Sequence, residues 1–216
     1  ITRDGQRTLL TTAGVNDRLG RLFRDRADGL VNYLGRSRIV HVTSLAGLVD
    51  LDPLVDVLDR VRQRHPEVRL SADPGAIWTA ADRPASADRI MGRCHQLLVN
   101  RRERDALGGP TAILDRWAAV ELVVVKGAEA IEVHHRDRPL ERHPNPRVLT
   151  PGDIVDDTGA GDAFAAGFLI GQLVPEIGPD RGVTLGMDLA RAKLGFTGMS
   201  APERLAPLLR RHLDGG

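Results

Sequence analysis

The sequence predicts an α/β fold in which helices cover both faces of a mostly parallel sheet. Short apolar or β-branched runs alternate with helical segments in the order βαβαβαβ, and parallel strands need such crossover helices. Hydrophobic residues make up 42% of the 216 residues and charged residues 27%, which suffices for a sizeable core.

Four runs are predicted as buried strands because they are apolar and bounded by polar or turn residues: residues 38–43, 68–72, 96–99 and 122–125. A helix is predicted from Asp52, acting as the N-cap, with Pro53 at the first helical position. Further helices are predicted over residues 101–107 and from Pro110 onward.

The two ends of the chain and one irregular stretch complete the prediction. Residues 1–10 are predicted as a β-hairpin because the pair Asp4-Gly5 suits a tight turn. Residues 136–153, rich in proline, arginine and histidine, are expected to be a short strand pair or a loop. A capping box at residues 200–203 predicts a last helix.

Charge and hydropathy exclude several classes of function. Thirty basic residues against twenty-nine acidic ones give a formal charge of +1, so we expect no bulk attraction to nucleic acid or to a membrane surface. No apolar run approaches the roughly 20 residues of a membrane-spanning helix, and we expect a cytoplasmic protein. Only Lys126 and Lys193 are lysines, which we interpret as a coding bias towards arginine.

Residues 155–164, with the sequence VDDTGAGDAF, form the segment from which chemistry is predicted. Gly159 and Gly161 allow the backbone to turn sharply and to present successive N–H groups outward. The apolar run 163–173 is helix-compatible, so the turn leads into a helix N-terminus, which attracts an anion such as a phosphoryl group.

Asp162 stands at the start of this predicted helix, where the helix dipole favours the ionised carboxylate that a general base requires. One turn of chain would supply both donors for developing negative charge and an acceptor for a hydroxyl proton, which suits a kinase. The alternative from these residues alone is an ordinary strand-to-helix turn with an aspartate near its cap.

The run DDTGAGDAF resembles the C-terminal signature of the ribokinase-like (PfkB-type) carbohydrate kinases. Four other segments are similar to motifs of that family and occur in the family's order: GQRTLLTTAGVN ending at Asn16, ADPGAIW at residues 72–78, NRRE at residues 100–103 and VVVKGAEA at residues 123–130. The resemblance covers essentially the whole chain. It implies a three-layer αβα ribokinase-like fold with a partial β lid, in which residues 1–16 are the lid hairpin and residues 17–216 the nucleotide-binding and catalytic core.

The resemblance implies roles for the glycine-rich turn. Asp162 corresponds to the catalytic base that takes the proton from the acceptor hydroxyl. Gly159, Ala160 and Gly161 correspond to the anion hole around the transferred phosphoryl group.

The resemblance also implies ATP and Mg²⁺ as cofactors. Asn100 and Glu103 correspond to the pair that organises Mg²⁺ and the nucleotide phosphates, with Glu103 acting through water because Mg²⁺ gives up its waters reluctantly. Lys126 and Gly127 lie at the turn that lets ATP approach the backbone.

Asp156 and Thr158 correspond to positions that help hold K⁺ in some relatives. The chain departs from the family at three positions. Asp157 stands where relatives usually carry threonine or serine and adds a carboxylate to the cation loop. Val125 replaces a frequent threonine beside the nucleotide, and Ala130 replaces a frequent second glycine.

Together, the residues and the resemblance lead us to expect an ATP-dependent phosphotransferase acting on a hydroxyl of a sugar or sugar-like small molecule. A nucleoside kinase and a non-catalytic nucleotide-binding module without a complete substrate site are the alternatives. The family's N-terminal glycine-rich signature and its acidic sugar-binding residue do not occur in the sequence, and we expect them to precede Ile1. The resemblance also allows a homodimer formed through the lid.

Overall fold

The computed structural model describes residues 14–43, 51–198 and 202–214. These residues divide into two compact units. Within the described ranges, the first unit contains residues 14–127 and 132–141, and the second unit contains residues 128–131 and 142–214. No helix in these ranges is both long enough and apolar enough to cross a membrane.

The strands lie side by side in the order in which they occur in the chain: β1 (Ile39–Thr43), β2 (Arg69–Asp73), β3 (Gln96–Asn100), β4 (Leu122–Lys126), β5 (Ala130–His135) and β6 (Glu141–Pro144). The first four pair in parallel, with Val40 opposite Leu70 and Leu97 opposite Val123. The α/β fold with a mostly parallel sheet is therefore confirmed. The four predicted strands agree with β1 to β4 to within one residue at each end.

The helices of the first unit surround this sheet core: α1 (Leu19–Asp25), α2 (Ala27–Leu34), α3 (Asp52–Arg64), α4 (Gly75–Thr79), α5 (Ala85–Met91), α6 (Arg101–Ala106) and α7 (Pro110–Arg116). α3 buries Leu54, Leu58 and Val61 in the same apolar cluster as the strand residues Val40 and Leu70. α1, α2 and α5 all pack against α3. This burial supplies most of the driving force that holds the first unit together.

The start of α3 differs from the prediction. The N-cap is Leu51 rather than Asp52, which is the first residue of the helix. Leu51 is buried, and its carbonyl accepts hydrogen bonds from Leu54 and Val55, so packing of an apolar side chain determines where the helix begins. The Asp52 carboxylate forms an ion pair with Arg89 instead.

The second unit contains α8 (Ala160–Leu173), α9 (Gly178–Leu194) and α10 (Pro202–Asp214). α8 and α9 pack backbone against backbone through four glycines. A Cβ atom added at Gly171 would lie 2.3 Å from Gly182 Cα, and one added at Gly167 would lie 2.5 Å from Gly186 N. α10 packs on α9. The helix predicted over residues 163–173 is thus confirmed, and it starts three residues earlier.

Three other predictions concern the two ends of the chain and the irregular stretch at residues 136–153. Residues 136–153 contain β6 and a 3-10 helix, Pro151–Asp153, as expected for a short strand pair, although its first strand, β5, begins earlier. The lid hairpin up to residue 13, and residues 200–201 of the predicted capping box, lie outside the described residues. The remaining part of the predicted lid, including Asn16, belongs to a 3-10 helix, Gly14–Arg18.

Candidate functional site

Polar side chains collect at the carboxyl ends of β2, β3 and β4 in the first unit. Asp73, Asn100 and Lys126 are the last residues of these three strands, and Asn100 lies opposite Lys126 in the parallel register. Because the carboxyl ends of parallel strands meet at one edge of a sheet, this edge is where ligands bind in open α/β folds.

Asn100 and Glu103 form a reciprocal capping box at the start of α6. The Glu103 N–H donates to Asn100 Oδ1 at 3.0 Å. In return, Glu103 Oε2 accepts the Asn100 N–H at 2.9 Å, and Glu103 Oε1 accepts from Asn100 Nδ2 at 2.6 Å. The two side chains are thereby held in one geometry at the end of β3.

Burial raises the pKa of the Glu103 carboxyl above its usual value. Glu103 is only 7% exposed, so the charged form of its side chain loses most of its hydration. The neighbouring charge of Asp73 raises the pKa further, whereas the hydrogen bonds from Asn100 and the charge of Lys126 oppose the shift. The ionised form of Glu103 is therefore destabilised by its surroundings, and such perturbed carboxyl groups are common at functional sites.

The Lys126 ammonium forms an ion pair with the Asp73 carboxylate, and the side chain of each is 13% exposed. The structure thus brings together three of the four residues predicted for the cofactors, Asn100, Glu103 and Lys126, and Gly127 follows directly after β4. Asp73 is an addition that the sequence analysis did not assign to the site. Its position directly after a predicted strand, like the positions of Asn100 and Lys126, was the available signal.

In the second unit, the glycine-rich turn does lead into a helix N-terminus. Gly159 is the N-cap of α8 and has φ = 82°, a left-handed conformation that glycine adopts without strain. The Ala160 N–H donates to the Asp157 carbonyl, and the Ala163 N–H donates to the Gly159 carbonyl. Among the described residues, none accepts a hydrogen bond from the N–H of Gly161 or Asp162.

Asp162 occupies the third position of α8 and is exposed to solvent. Within the described part of the chain, no side chain forms an ion pair with its carboxylate. An ionised carboxylate next to open amide donors, at the positive end of a fourteen-residue helix, can accept a proton while the amides bind negative charge.

Asp156 lies just before this turn and is 6% exposed. Its Oδ1 accepts the Thr158 N–H at 2.9 Å, and its Oδ2 accepts the Gly198 N–H at 3.2 Å. Hydrogen bonds from the side chain and N–H of Thr158, with that from Gly198, lower the pKa of Asp156 to about 2. The carboxylate therefore stays charged and fastens the turn to the segment that follows α9.

Lys193, near the end of α9, was not predicted as a site residue, and it is 2% exposed. Its Nζ donates to the Phe196 carbonyl at 3.0 Å and to the Asp156 carbonyl at 3.3 Å. Nζ also lies 3.9 Å from Asp156 Oδ2 and 4.8 Å from the centroid of the Phe196 ring. Asp156, one of the two predicted K⁺ residues, thus lies beside a buried ammonium group, and the other, Thr158, donates its N–H to Asp156.

Two known proteins are similar to the chain in sequence. An uncharacterized sugar kinase of Archaeoglobus fulgidus is 32% identical over 182 residues, which are 80% of this chain and 66% of that protein. A cytidine kinase of Thermococcus kodakarensis is 34% identical over 88 residues, which are 38% of this chain and 31% of that protein. The match thus spans just under two thirds of the first relative. No protein-family model matches the chain.

A solved structure is similar in fold. The ribokinase of Giardia lamblia superposes with a TM-score of 0.74 at 16% identity, and the aligned part covers 98% of this chain and 70% of that one. At this identity the likeness is one of fold alone. The sequence similarity and the fold similarity are consistent, because both are to kinases.

Proposed function

The chain belongs to the ribokinase-like carbohydrate kinase family, and from this membership we propose that it transfers the γ-phosphoryl group of ATP to a hydroxyl of a sugar or sugar-like small molecule. The observation that carries the proposal is the start of α8, where an exposed Asp162 carboxylate stands beside amide groups that no described residue occupies. A phosphoryl transfer needs both, since it develops negative charge and releases a proton.

At the start of α8, Asp162 accepts the proton of the acceptor hydroxyl, so that the hydroxyl oxygen becomes a better nucleophile towards phosphorus. The N–H groups of Gly161 and Asp162 donate to the oxygens of the transferred group as its charge spreads. Gly159 allows the turn to adopt the backbone conformation that aims these donors outward. Gly159, Ala160 and Gly161 are proposed as the turn that forms the anion hole, in which the Gly161 N–H is an open donor whereas the Ala160 N–H donates to the Asp157 carbonyl.

The edge formed by β2, β3 and β4 suits Mg²⁺ and the nucleotide phosphates. Carboxylate oxygens are hard ligands of the kind Mg²⁺ prefers, and each oxygen of Glu103 keeps a lone pair for a metal-bound water after its hydrogen bond to Asn100. When bound, the ion would neutralise phosphate charge. Lys126 supplies a cation for the phosphates, and Gly127, without a side chain, leaves room for the nucleotide beside the backbone.

No step of the proposed reaction uses K⁺, because the predicted cation loop does not suit it. The Asp156 carbonyl already accepts a hydrogen bond from Lys193, and the Asp156 carboxylate is engaged by Thr158 and Gly198. A second cation at this place would lie beside the Lys193 ammonium and be repelled by it.

Asp162→Asn tests the proposed base. The amide cannot accept the hydroxyl proton, so we expect the rate of transfer to fall by about 10²–10⁴-fold while Mg·ATP binding is retained. Asp180→Asn is the matched control, because Asp180 is exposed and holds the same third position in α9. Turnover of Asp162→Asn at the wild-type rate, or an equal loss in Asp180→Asn, would show that Asp162 is not the base.

A panel of sugars and nucleosides, incubated with ATP, Mg²⁺ and the complete gene product, separates the candidate functions. Phosphorylation of sugars supports the main proposal. Phosphorylation of nucleosides alone favours a nucleoside kinase, for which the similarity to a cytidine kinase is the specific observation. Nucleotide binding with no acceptor phosphorylated favours a non-catalytic module.

A further inference from the structure

We propose that Lys193 is a built-in monovalent cation, which holds residues 155–158 in place before α8 and makes this part of the protein independent of K⁺. The ammonium group acts on the start of α8 through the turn and is therefore a positioning group. Its link to catalysis rests on the proposed function, whereas its role in holding the turn does not.

The turn before α8 is attached to the end of α9 by several hydrogen bonds. The Val155 N–H donates to the Leu194 carbonyl at 2.8 Å, and the Gly198 N–H donates to the Asp156 carboxylate at 3.2 Å. Lys193 lies within this group of contacts, because its Nζ bonds to carbonyls on both sides, those of Asp156 and Phe196. The ammonium thus joins the turn to the segment after α9.

The atoms around Nζ are those that would surround a monovalent metal ion. Two carbonyl oxygens, one carboxylate oxygen and the face of an aromatic ring all present negative charge or partial charge to one point. Without a cation there, the carbonyl of Asp156, its own carboxylate and the carbonyl of Phe196 would repel one another in a buried place. An ammonium group and K⁺ are both monovalent cations that take oxygen ligands.

The use of lysine rather than arginine at position 193 supports the inference that this site requires an ammonium group. Lys193 is one of two lysines among thirty basic residues, so the chain uses arginine almost everywhere else. A guanidinium is planar and carries five donors in a rigid fork, whereas an ammonium is a compact point charge with three donors. A site that is 2% exposed and offers acceptors around one point suits only the smaller group.

The test removes the Lys193 ammonium group and measures whether free K⁺ can take its place. Thermal unfolding of the full chain is followed in KCl and in tetramethylammonium chloride at equal ionic strength, for the wild type and for Lys193→Ala. We expect the wild-type Tm to be the same in both salts. Lys193→Ala should unfold about 10 °C lower in tetramethylammonium chloride, because a buried carboxylate loses its cation, and should regain part of that loss in KCl.

Two further variants separate a cation site from a merely structural lysine. Lys193→Met removes the charge but keeps the volume, so it should be destabilised and show no gain in KCl. Lys126→Ala removes the other lysine, in the first unit, and should show no specific response to K⁺. A gain in KCl that appears in Lys193→Ala alone supports the proposal.

Three outcomes would overturn the proposal: a wild-type Tm that rises in KCl, a Lys193→Ala protein with the same Tm in both salts, or one that is unfolded in both. None of these measurements involves turnover. A wild-type protein that is indifferent to K⁺ yet phosphorylates no acceptor would therefore count against the proposed function and leave the role of Lys193 standing.

Discussion

The starts of α6 and α8 differ in how their backbone N–H groups are used. At α6, the side chains of Asn100 and Glu103 bond to each other's N–H groups and complete the helix end from within. At α8, Gly159 offers no side-chain cap, and the N–H groups of Gly161 and Asp162 have no acceptor among the described residues. Donors that are used internally stabilise a helix, whereas donors that are left open can bind a ligand.

A helix without a cap must be stabilised elsewhere, and α8 is stabilised along its side. Gly167 and Gly171 let its backbone contact α9 directly, while Phe164 and Phe168 stack on each other. α6, with only six residues, has less side surface and relies on its capped end. We therefore expect the stability of α8 to be most sensitive to substitutions along its side, and that of α6 to substitutions at its capped end.

The largest effect is expected for Gly171→Ala. The new Cβ would lie 2.3 Å from Gly182 Cα, so one helix must move, and we expect a loss of about 3 kcal/mol in the free energy of unfolding. Urea denaturation followed by circular dichroism measures this loss. Gly29→Ala, in α2 with nothing within 4 Å of the new atom, is the control and should be neutral or slightly stabilising. Equal effects of the two changes would show that α8 does not depend on this contact.

A smaller effect is expected at the capped helix for Asn100→Ala. The change removes the acceptor of the Glu103 N–H and one donor to the Glu103 carboxylate, which should cost about 1 kcal/mol in the free energy of unfolding. Asn32→Ala, at an exposed position within α2, is the matched control and should change stability little. If both variants unfold at the same urea concentration as the wild type, the capping box does not stabilise α6.

The smallest effect is a pH dependence contributed by Glu103. Because burial raises its pKa in the folded state, the native protein holds this proton more tightly than the unfolded chain does. The free energy of unfolding should therefore fall as the pH rises from the ordinary carboxyl pKa through the raised one. Glu103→Gln, which cannot ionise, should lack this component, so its stability relative to the wild type should increase over that range. A difference between the two proteins that stays constant with pH would contradict the prediction.

The sheet was predicted well because each of its first four strands is a short apolar run between turn residues. The helices α1 and α2 were not predicted. Their N-caps are Arg18 and Arg26, neither of which makes a side-chain cap hydrogen bond, and they are seven and eight residues long. Their stability comes from packing on α3, a tertiary contact that local sequence does not contain.

The same holds for the site: residues close together in the sequence were predicted as a pair, whereas contacts between residues far apart in the sequence were not. The pair Asn100 and Glu103 was found because the run NRRE, in which they lie three positions apart, resembles a motif of the family. Lys126 pairs with Asp73, 53 positions away, and Lys193 bonds to Asp156, 37 positions away, so neither partner could be assigned before the chain was folded. A signal was nevertheless present, since the chain's two lysines are the cations of these two pairs, one part-buried and one buried, and we interpreted them as a coding bias. The roles of the site residues in catalysis remain predictions.

The glycine contact between α8 and α9 also has a mechanical consequence. Where side chains separate two helices, rotamer changes can absorb a small displacement of one of them. Here Gly186 lies so close to Phe164 that an added Cβ would be 2.7 Å from the Phe164 carbonyl oxygen and 2.9 Å from an atom of its ring. We therefore expect α9 and the first turns of α8 to move together. The orientation of the open N–H donors of α8 is then fixed in advance, and no rearrangement is needed when negative charge develops in front of them.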